Sequence, residues 1–357
     1  MAQRIYLDHA ATTPLRPEAR AAMDDGFVIW ANPSSPHAEG RKARAALEEA
    51  RARVKAALGW EGEVIFTSGA SEALAIALTR AKVDRRIVSA VEHDAVFRAA
   101  PDAEVLPIAF DRSGALGGTP EPDVLDRLLA ERGRSLVTVQ LINSETGTCL
   151  LPAVRNPVIE RTHAAGGLVL CDASQLGPER RLPTDLDMAV VSGHKLGGPV
   201  GIGALLVRDF AMLQPSGGQE RGYRGGTENL PGALGLAVAL ELGEDGWATT
   251  YRQRCKFRDA ICRDGEMLQP GNHCSHIFSV AAPKLSANAL LIRLDSMGFA
   301  ISAGSACSSG SLKPSRVLKA FGVDDDTARR AVRVSIGWNT TPAELDAFAV
   351  AWAEVNA

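Results

Sequence analysis

The sharpest local signal in the chain is Ser192-Gly193-His194-Lys195, which follows the apolar run Met188-Ala189-Val190-Val191 and precedes Gly197-Gly198-Pro199-Val200-Gly201. A lysine at a strand end can act as a nucleophile, because amines form Schiff bases with carbonyl carbons. Alone it says little, since most lysines are solvated surface charges. Upstream, Gly167-Leu168-Val169-Leu170-Cys171-Asp172-Ala173-Ser174-Gln175 sets a carboxylate at the end of a buried-type strand. An amine and an acid in this arrangement suit pyridoxal phosphate: the lysine holds the aldehyde, and the acid keeps the pyridine nitrogen protonated so that the ring withdraws electrons. Gln175 could donate to the phenolic oxygen. An isolated Asp at a strand end more commonly caps the next turn, but the spacing of Asp172 from Lys195 argues for the cofactor role.

Three further stretches fit the same chemistry. In Phe66-Thr67-Ser68-Gly69-Ala70-Ser71-Glu72-Ala73 a strand gives way to Gly and then to a helix, a place where backbone N–H groups bind phosphate and where Ser71 adds a hydroxyl. Taken alone it is a capped helix like many others. His93, in Glu92-His93, could stack on a cofactor ring or move protons. Asn143, in Leu141-Ile142-Asn143-Ser144-Glu145-Thr146-Gly147, stands at another strand end on the same sheet edge, where open α/β sheets bind ligands.

The elements that must position these residues are legible as an alternation of short β-branched runs with amphipathic stretches, which predicts an α/β fold with a mostly parallel sheet. Strands are expected over 63–67, 86–91, 104–108, 136–141, 167–171, 187–192 and 202–207. A helix is expected over 36–58, with Ala43, Ala46, Leu47, Ala50, Val54 and Leu58 on one face and Ser35 as its cap. The Gly- and Pro-rich stretch 214–231 reads as a long ordered loop, and loops of that length are usually functional. Helical stretches over 233–242 and 247–262 lead into a second, smaller α+β region.

The 357 residues are 46% hydrophobic, enough for a packed core, and the net charge of -3 gives no electrostatic footprint for nucleic acid. The start of the chain has no signal-peptide pattern and no apolar stretch reaches membrane-spanning length, so a cytoplasmic protein with no membrane or nucleic-acid partner is expected. Six cysteines occur with no Cys-x-x-Cys spacing, which predicts reduced thiols and no metal site. Five read as buried small hydrophobes. Cys307 differs, because Ser302-Ala303-Gly304-Ser305-Ala306-Cys307-Ser308-Ser309-Gly310 is too rich in Ser and Gly to bury a thiol well.

Taken together, these motifs resemble the NifS/IscS-like cysteine desulfurases, within the class V aminotransferase family of fold-type I pyridoxal-phosphate enzymes. The resemblance spans nearly the whole chain. It also rests on Tyr6-Leu7-Asp8-His9-Ala10-Ala11-Thr12-Thr13-Pro14, Asn32-Pro33-Ser34-Ser35 and Arg224-Gly225-Gly226-Thr227-Glu228-Asn229. It implies a large domain over 15–245 built on a seven-stranded sheet, and a small domain from 1–14 and 246–357 that carries the cysteine loop. It further implies that Lys195 forms the Schiff base with pyridoxal 5'-phosphate, Asp172 holds the ring nitrogen, Gln175 the phenolic oxygen, and His93 stacks on the ring. The phosphate would meet Ala70, Ser71, Ser192 and His194, together with Thr227 of a neighbouring subunit, so that a homodimer is part of the design. Asn143 and Arg333 would clamp the carboxylate of L-cysteine, a task suited to the arginine fork.

On this resemblance, Cys307 attacks the substrate sulfur as a thiolate and passes it as a persulfide to an acceptor, for iron–sulfur cluster assembly on a scaffold protein or for tRNA thiolation. A thiol with a pKa of about 8.5 is only partly ionised at neutral pH, and His93 is the expected proton acceptor. The chain departs from the usual pattern at Ser71, where threonine is frequent, and at Val200, where lysine is frequent. It also departs over 263–275, which is shorter, and in the lack of the tail with which housekeeping members dock a scaffold protein. Selenocysteine lyase or aminotransferase chemistry is the alternative on the same fold. A cofactor-free interaction subunit would have lost Lys195 or Asp172, and both are present.

Overall fold

The structure is a computed structural model that describes residues 4–109, 118–151, 156–178, 181–268, 270–303 and 315–357. After a short N-terminal strand, β1 (Ile5–Tyr6), the large sheet is formed by β2 (Glu63–Thr67), β3 (Arg85–Ser89), β4 (Glu104–Leu106), β5 (Ser135–Gln140), β6 (Leu168–Asp172), β7 (Met188–Ser192) and β8 (Gly203–Val207). Its order is β2-β8-β7-β6-β5-β3-β4, and only β8 runs antiparallel to its neighbours. The α/β class, the seven strands and the mostly parallel sheet are therefore as the β-branched runs imply, with ends shifted by a residue or two.

Residues alternate along each strand between two apolar cores. Phe66, Val137, Val139, Val169, Ala189, Val191 and Leu206 enter one, while Ile65, Leu136, Leu170, Met188, Val190 and Leu205 enter the other. Burial on both faces explains why the central strands read as unbroken apolar runs. Because β2, β3, β5, β6 and β7 share a direction, their carboxyl ends meet at one edge, and every cofactor motif read from the sequence except that of Thr227 lies at or just after the end of one of them.

The first of the helices that precede or cross this sheet are α1 (Pro17–Ile29), α2 (Ala38–Leu58) and α3 (Ala70–Arg80). The expected stripe on α2 is buried at Ala43, Leu47, Ala50, Val54 and Leu58. Its cap is His37, not Ser35: the His37 ring accepts the Gly40 N–H at 3.2 Å. Ser35 is excluded because it packs under the first turn, where a Cβ on Gly40 would lie 2.3 Å from the Ser35 carbonyl oxygen. His37→Ala is accordingly expected to cost about 1 kcal/mol in urea unfolding, and Ser35→Ala to stay within about 0.5 kcal/mol.

The stretch 214–231 is an ordered loop with a 3-10 turn, Glu220–Gly222, and the helix after it begins earlier than expected, at Leu230–Glu241. Glu220 fixes the loop. Its buried carboxylate meets Arg51 Nη1 at 2.9 Å and accepts the Phe66 N–H at 2.9 Å, tying the loop to α2 and β2.

Beyond residue 246 the helix expected over 247–262 is Tyr251–Ile261, opened by a Thr250–Gln253 capping box. A second sheet is formed by β9 (Glu266–Met267), β10 (Ile277–Ala281) and β12 (Ala331–Ser335), with β10 central and antiparallel to both neighbours. The remaining strand, β11 (Phe299–Ala300), pairs in parallel with β1, so Leu7 joins the core made by Phe257, Phe278, Phe348 and Trp352. No described helix is long and apolar enough to cross a membrane.

Candidate active site

A cavity of about 560 Å³ opens at the carboxyl edge of the large sheet. Nine of the residues singled out from the sequence line it: Ala70, Ser71, His93, Asp172, Gln175, Ser192, His194, Lys195 and Arg333. The first eight follow strand ends of the large sheet. Arg333 comes from β12, so the second sheet closes the cavity from the far side.

Lys195 ends the short 3-10 turn Gly193–Lys195. The turn is tight because Gly193 has no side chain: a Cβ there would stand 2.7 Å from Ile202 Cγ2 and 2.9 Å from the Pro199 carbonyl oxygen. The N-terminal segment buttresses it. Thr13 donates its N–H to the His194 carbonyl at 2.8 Å, and His194 Nδ1 lies 3.1 Å from the Thr12 hydroxyl. Burial and the Lys195 charge both hold the His194 imidazole below its ordinary pKa.

Asp172 caps the turn that follows its strand. Its Oδ1 accepts the Ser174 N–H at 2.9 Å and the Ser174 hydroxyl at 2.5 Å, capping the turn after β6. No bond to Oδ2 is made among the described residues, and Asp172 lines the cavity. Beside it is a second acid that sequence reading missed. Glu92 is fully buried, accepts the Gln140 N–H at 2.7 Å, and is pushed well above the ordinary carboxyl range by burial and by Asp172. Both effects favour the protonated form of Glu92. Gln175 spends one amide N–H on the Ala10 carbonyl at 2.9 Å and has a second to offer.

His93 caps helix α4 (Asp94–Ala99): its Nδ1 accepts the Ala95 N–H at 3.1 Å. The neutral ring then carries its proton on Nε2. Burial first, and the Lys195 charge second, hold its pKa below the ordinary value, so the ring is neutral. With Nδ1 engaged by the Ala95 N–H, Nε2 of the neutral ring is a hydrogen-bond donor.

Asn143 is not brought to the cavity wall. It is buried, its Oδ1 accepts the N–H groups of Glu145 and Thr146 at 2.9 Å each, and its Nδ2 donates to the Val91 carbonyl at 3.3 Å. It shapes the loop after β5, an Asx turn that takes up the amide. Thr227 is exposed and does not line this cavity. Cys307 lies outside the described residues. Arg333 is present as expected, but with a partner the sequence did not suggest, Asp8.

The residues fit a phosphate-bearing pyridine aldehyde. Gly69, the N-cap of α3, brings no side-chain cap, which leaves the first-turn N–H groups of Ala70 and Ser71 to an anion in the cavity. An amine, a carboxylate and a neutral imidazole face the same space. Among the described residues no cluster of His, Cys, Asp and Glu could hold a metal.

The family model for aminotransferase class-V matches residues 5–348. The chain belongs to the class V aminotransferase family. Among curated proteins it is 36% identical to the cysteine desulfurase of Gluconacetobacter diazotrophicus, an alignment covering 96% of this chain and 90% of that one. Among solved structures it is similar to a NifS-like protein from Rickettsia africae, with a TM-score of 0.85, 26% identity and 99% of both chains covered. It is also similar to SspA, solved in complex with cysteine, with a TM-score of 0.76, 29% identity, and 94% and 100% of the two chains covered. The motifs at Asp172 and Lys195 open onto one cavity.

Proposed function

We propose that this class V enzyme is a cysteine desulfurase that uses pyridoxal 5'-phosphate. The observation that carries the reading is the convergence of Lys195, Asp172, His93 and the start of α3 on one cavity whose opposite wall supplies Arg333. The cofactor, when bound, supplies an electron sink next to the substrate α-carbon. The residues of the chain do the rest. Lys195 would hold the aldehyde carbon, and Asp172 would keep the ring nitrogen protonated, with Glu92 buried beside it. The N–H groups of Ala70 and Ser71, with Ser192 and His194, hold the phosphate, and Arg333 takes the substrate carboxylate. Cys307 Sγ, as a thiolate, bonds to the substrate sulfur as the carbon–sulfur bond breaks. The electron pair left on carbon is protonated to give alanine, and the persulfide is passed to an acceptor, in iron–sulfur assembly or tRNA thiolation.

The same reading makes the enzyme a cytoplasmic homodimer, with a large domain over 15–245 and a small one from 1–14 and 246–357. An apolar surface supports the dimer: Phe27, Val28 and Trp30 at the end of α1 are 61%, 76% and 77% exposed. The loop bearing Thr227 supports a shared site, since Asn229 donates to the Gly201 carbonyl at 3.4 Å and Gly201 lines the cavity.

Product stoichiometry tests the proposal. Purified protein carrying the cofactor, given L-cysteine and a reductant, should release sulfide and alanine in equal amounts. Formation of 3-mercaptopyruvate in place of alanine would establish an aminotransferase and overturn the reading.

A further inference from the structure

Arg333 is a buried cation that already has a partner. Its side chain is 6% exposed, with Nη2 2.7 Å from Asp8 Oδ1 and Nη1 donating to the Ser144 carbonyl at 2.9 Å. A guanidinium has five N–H donors, so donors remain for a ligand after these two are used. Arg333 lines the cavity and Asp8 does not.

The fold delivers Asp8 to this spot. Leu7 donates its N–H to the Ala300 carbonyl at 2.8 Å and its carbonyl accepts the Ser335 N–H at 2.8 Å, which places the N-terminal strand alongside β12. The Tyr6 hydroxyl donates to the Asp8 carbonyl at 3.0 Å. Asp8 and Arg333 are thus brought together by backbone pairing, with little freedom for either side chain to turn away.

We propose that Asp8 is a positioning residue that sets how tightly this site holds a carboxylate: it fixes the Arg333 fork and cancels most of its charge. The inference rests on Arg333 receiving the substrate carboxylate. Without a counter-charge, a guanidinium this deeply buried would be costly in the substrate-free protein. With Asp8 present, an arriving carboxylate meets the attraction of Arg333 and the repulsion of a like charge behind it. Substrate and product amino acids are therefore held weakly enough at that end to exchange.

Asp8→Asn keeps an acceptor in the same place and removes the charge. In the cofactor-loaded enzyme it should lower both the KM for L-cysteine and the inhibition constant of 3-mercaptopropionate about fivefold, the effect of one screened charge at this range. Binding of cysteamine, which has the thiol and amine but no carboxylate, should be unchanged. Substrate-free Asp8→Asn should unfold at a lower temperature than wild type and gain more from added 3-mercaptopropionate. Asp8→Ala, which frees the fork, should raise both constants. The proposal fails if Asp8→Asn weakens 3-mercaptopropionate as Asp8→Ala does, or leaves it unchanged. An Arg333→Gln variant with unaltered KM would instead overturn the carboxylate role of Arg333 itself, and the inference with it.

Discussion

Lys195→Ala is expected to lower L-cysteine turnover by at least about a thousandfold and to leave a protein that loses its visible absorbance on dialysis. The expectation follows from how the lysine is held. The Gly193–Lys195 turn is fixed by backbone contacts and by the lack of a Cβ at Gly193, with the Thr13 N–H on the His194 carbonyl and the Arg16 N–H on the Gly197 carbonyl at 2.9 Å. Truncating the side chain leaves those contacts in place, so far-ultraviolet circular dichroism should be unchanged while the covalent hold on the aldehyde is gone. Cys307→Ala makes the contrast that separates the two roles. It should keep the colour and lose both sulfide and alanine. Should Lys195→Ala turn over cysteine at the wild-type rate, another amine is the nucleophile. Should Cys307→Ala release sulfide at the wild-type rate, Cys307 does not carry the sulfur.

What could be seen in the sequence and what could not divides along the range of the interactions. The central strands were legible because burial on both faces demands unbroken apolar runs, and Asp172 and Lys195 were legible because each directly follows such a run. The chain writes these signals within a few consecutive residues. The pairs Arg51–Glu220 and Asp8–Arg333 join residues far apart in the chain. No local pattern announces them, since each partner alone reads as an ordinary surface charge. Glu92 was hidden for a related reason: nothing local marks it as buried, and its partners, the Gln140 N–H at the end of β5 and Asp172 at the end of β6, are distant in the chain. Asn143 and His93 both follow strand ends as expected, His93 at the cavity and Asn143 away from its wall. Both spend a polar atom on a nearby backbone N–H, a local bond that competes with a ligand and is invisible until the turn geometry is known. That His37 rather than Ser35 caps α2 goes with the close approach of Gly40 to Ser35, again a contact that only packing decides.

Acid should destabilise this protein well before its carboxylates as a class are titrated, because two histidines are buried in the neutral form where the N-terminal segment and β10 meet the large sheet. His9 is 4% exposed, with Nε2 3.1 Å from the Tyr6 carbonyl, and burial pulls its pKa down to about 4. His276 is 6% exposed, with Nε2 3.3 Å from the Gln175 carbonyl, and burial, reinforced by the Arg254 charge, pulls it down to about 3. The unfolded chain takes up protons at both near pH 6.5, whereas the folded protein refuses them until pH 4 or 3. Below pH 6.5 the unfolded state therefore binds more protons, and stability falls as pH falls, until each folded pKa is reached. At pH 5 each histidine should have cost about 2 kcal/mol relative to pH 7. Glu92 and Glu145 act in the opposite direction. Burial raises their pKa values, so the folded protein holds protons that the unfolded chain loses above pH 4.5, and acidification through that window returns stability. Urea unfolding of the cofactor-loaded protein at pH 7 and pH 5 separates the two. His9→Gln and His276→Gln should each shrink the loss between those pH values by about 2 kcal/mol, and unchanged losses would mean that neither ring is buried neutral. The His276 case reaches the active site. Its Nε2–H donates to the carbonyl of Gln175, whose side chain lines the cavity, so acid would place a second proton on the buried, unpartnered Nδ1 and a charge next to the backbone of the residue proposed to hold the phenolic oxygen. Cofactor release in wild type should therefore begin in the same acid range, and His276→Gln should delay it more than His9→Gln does.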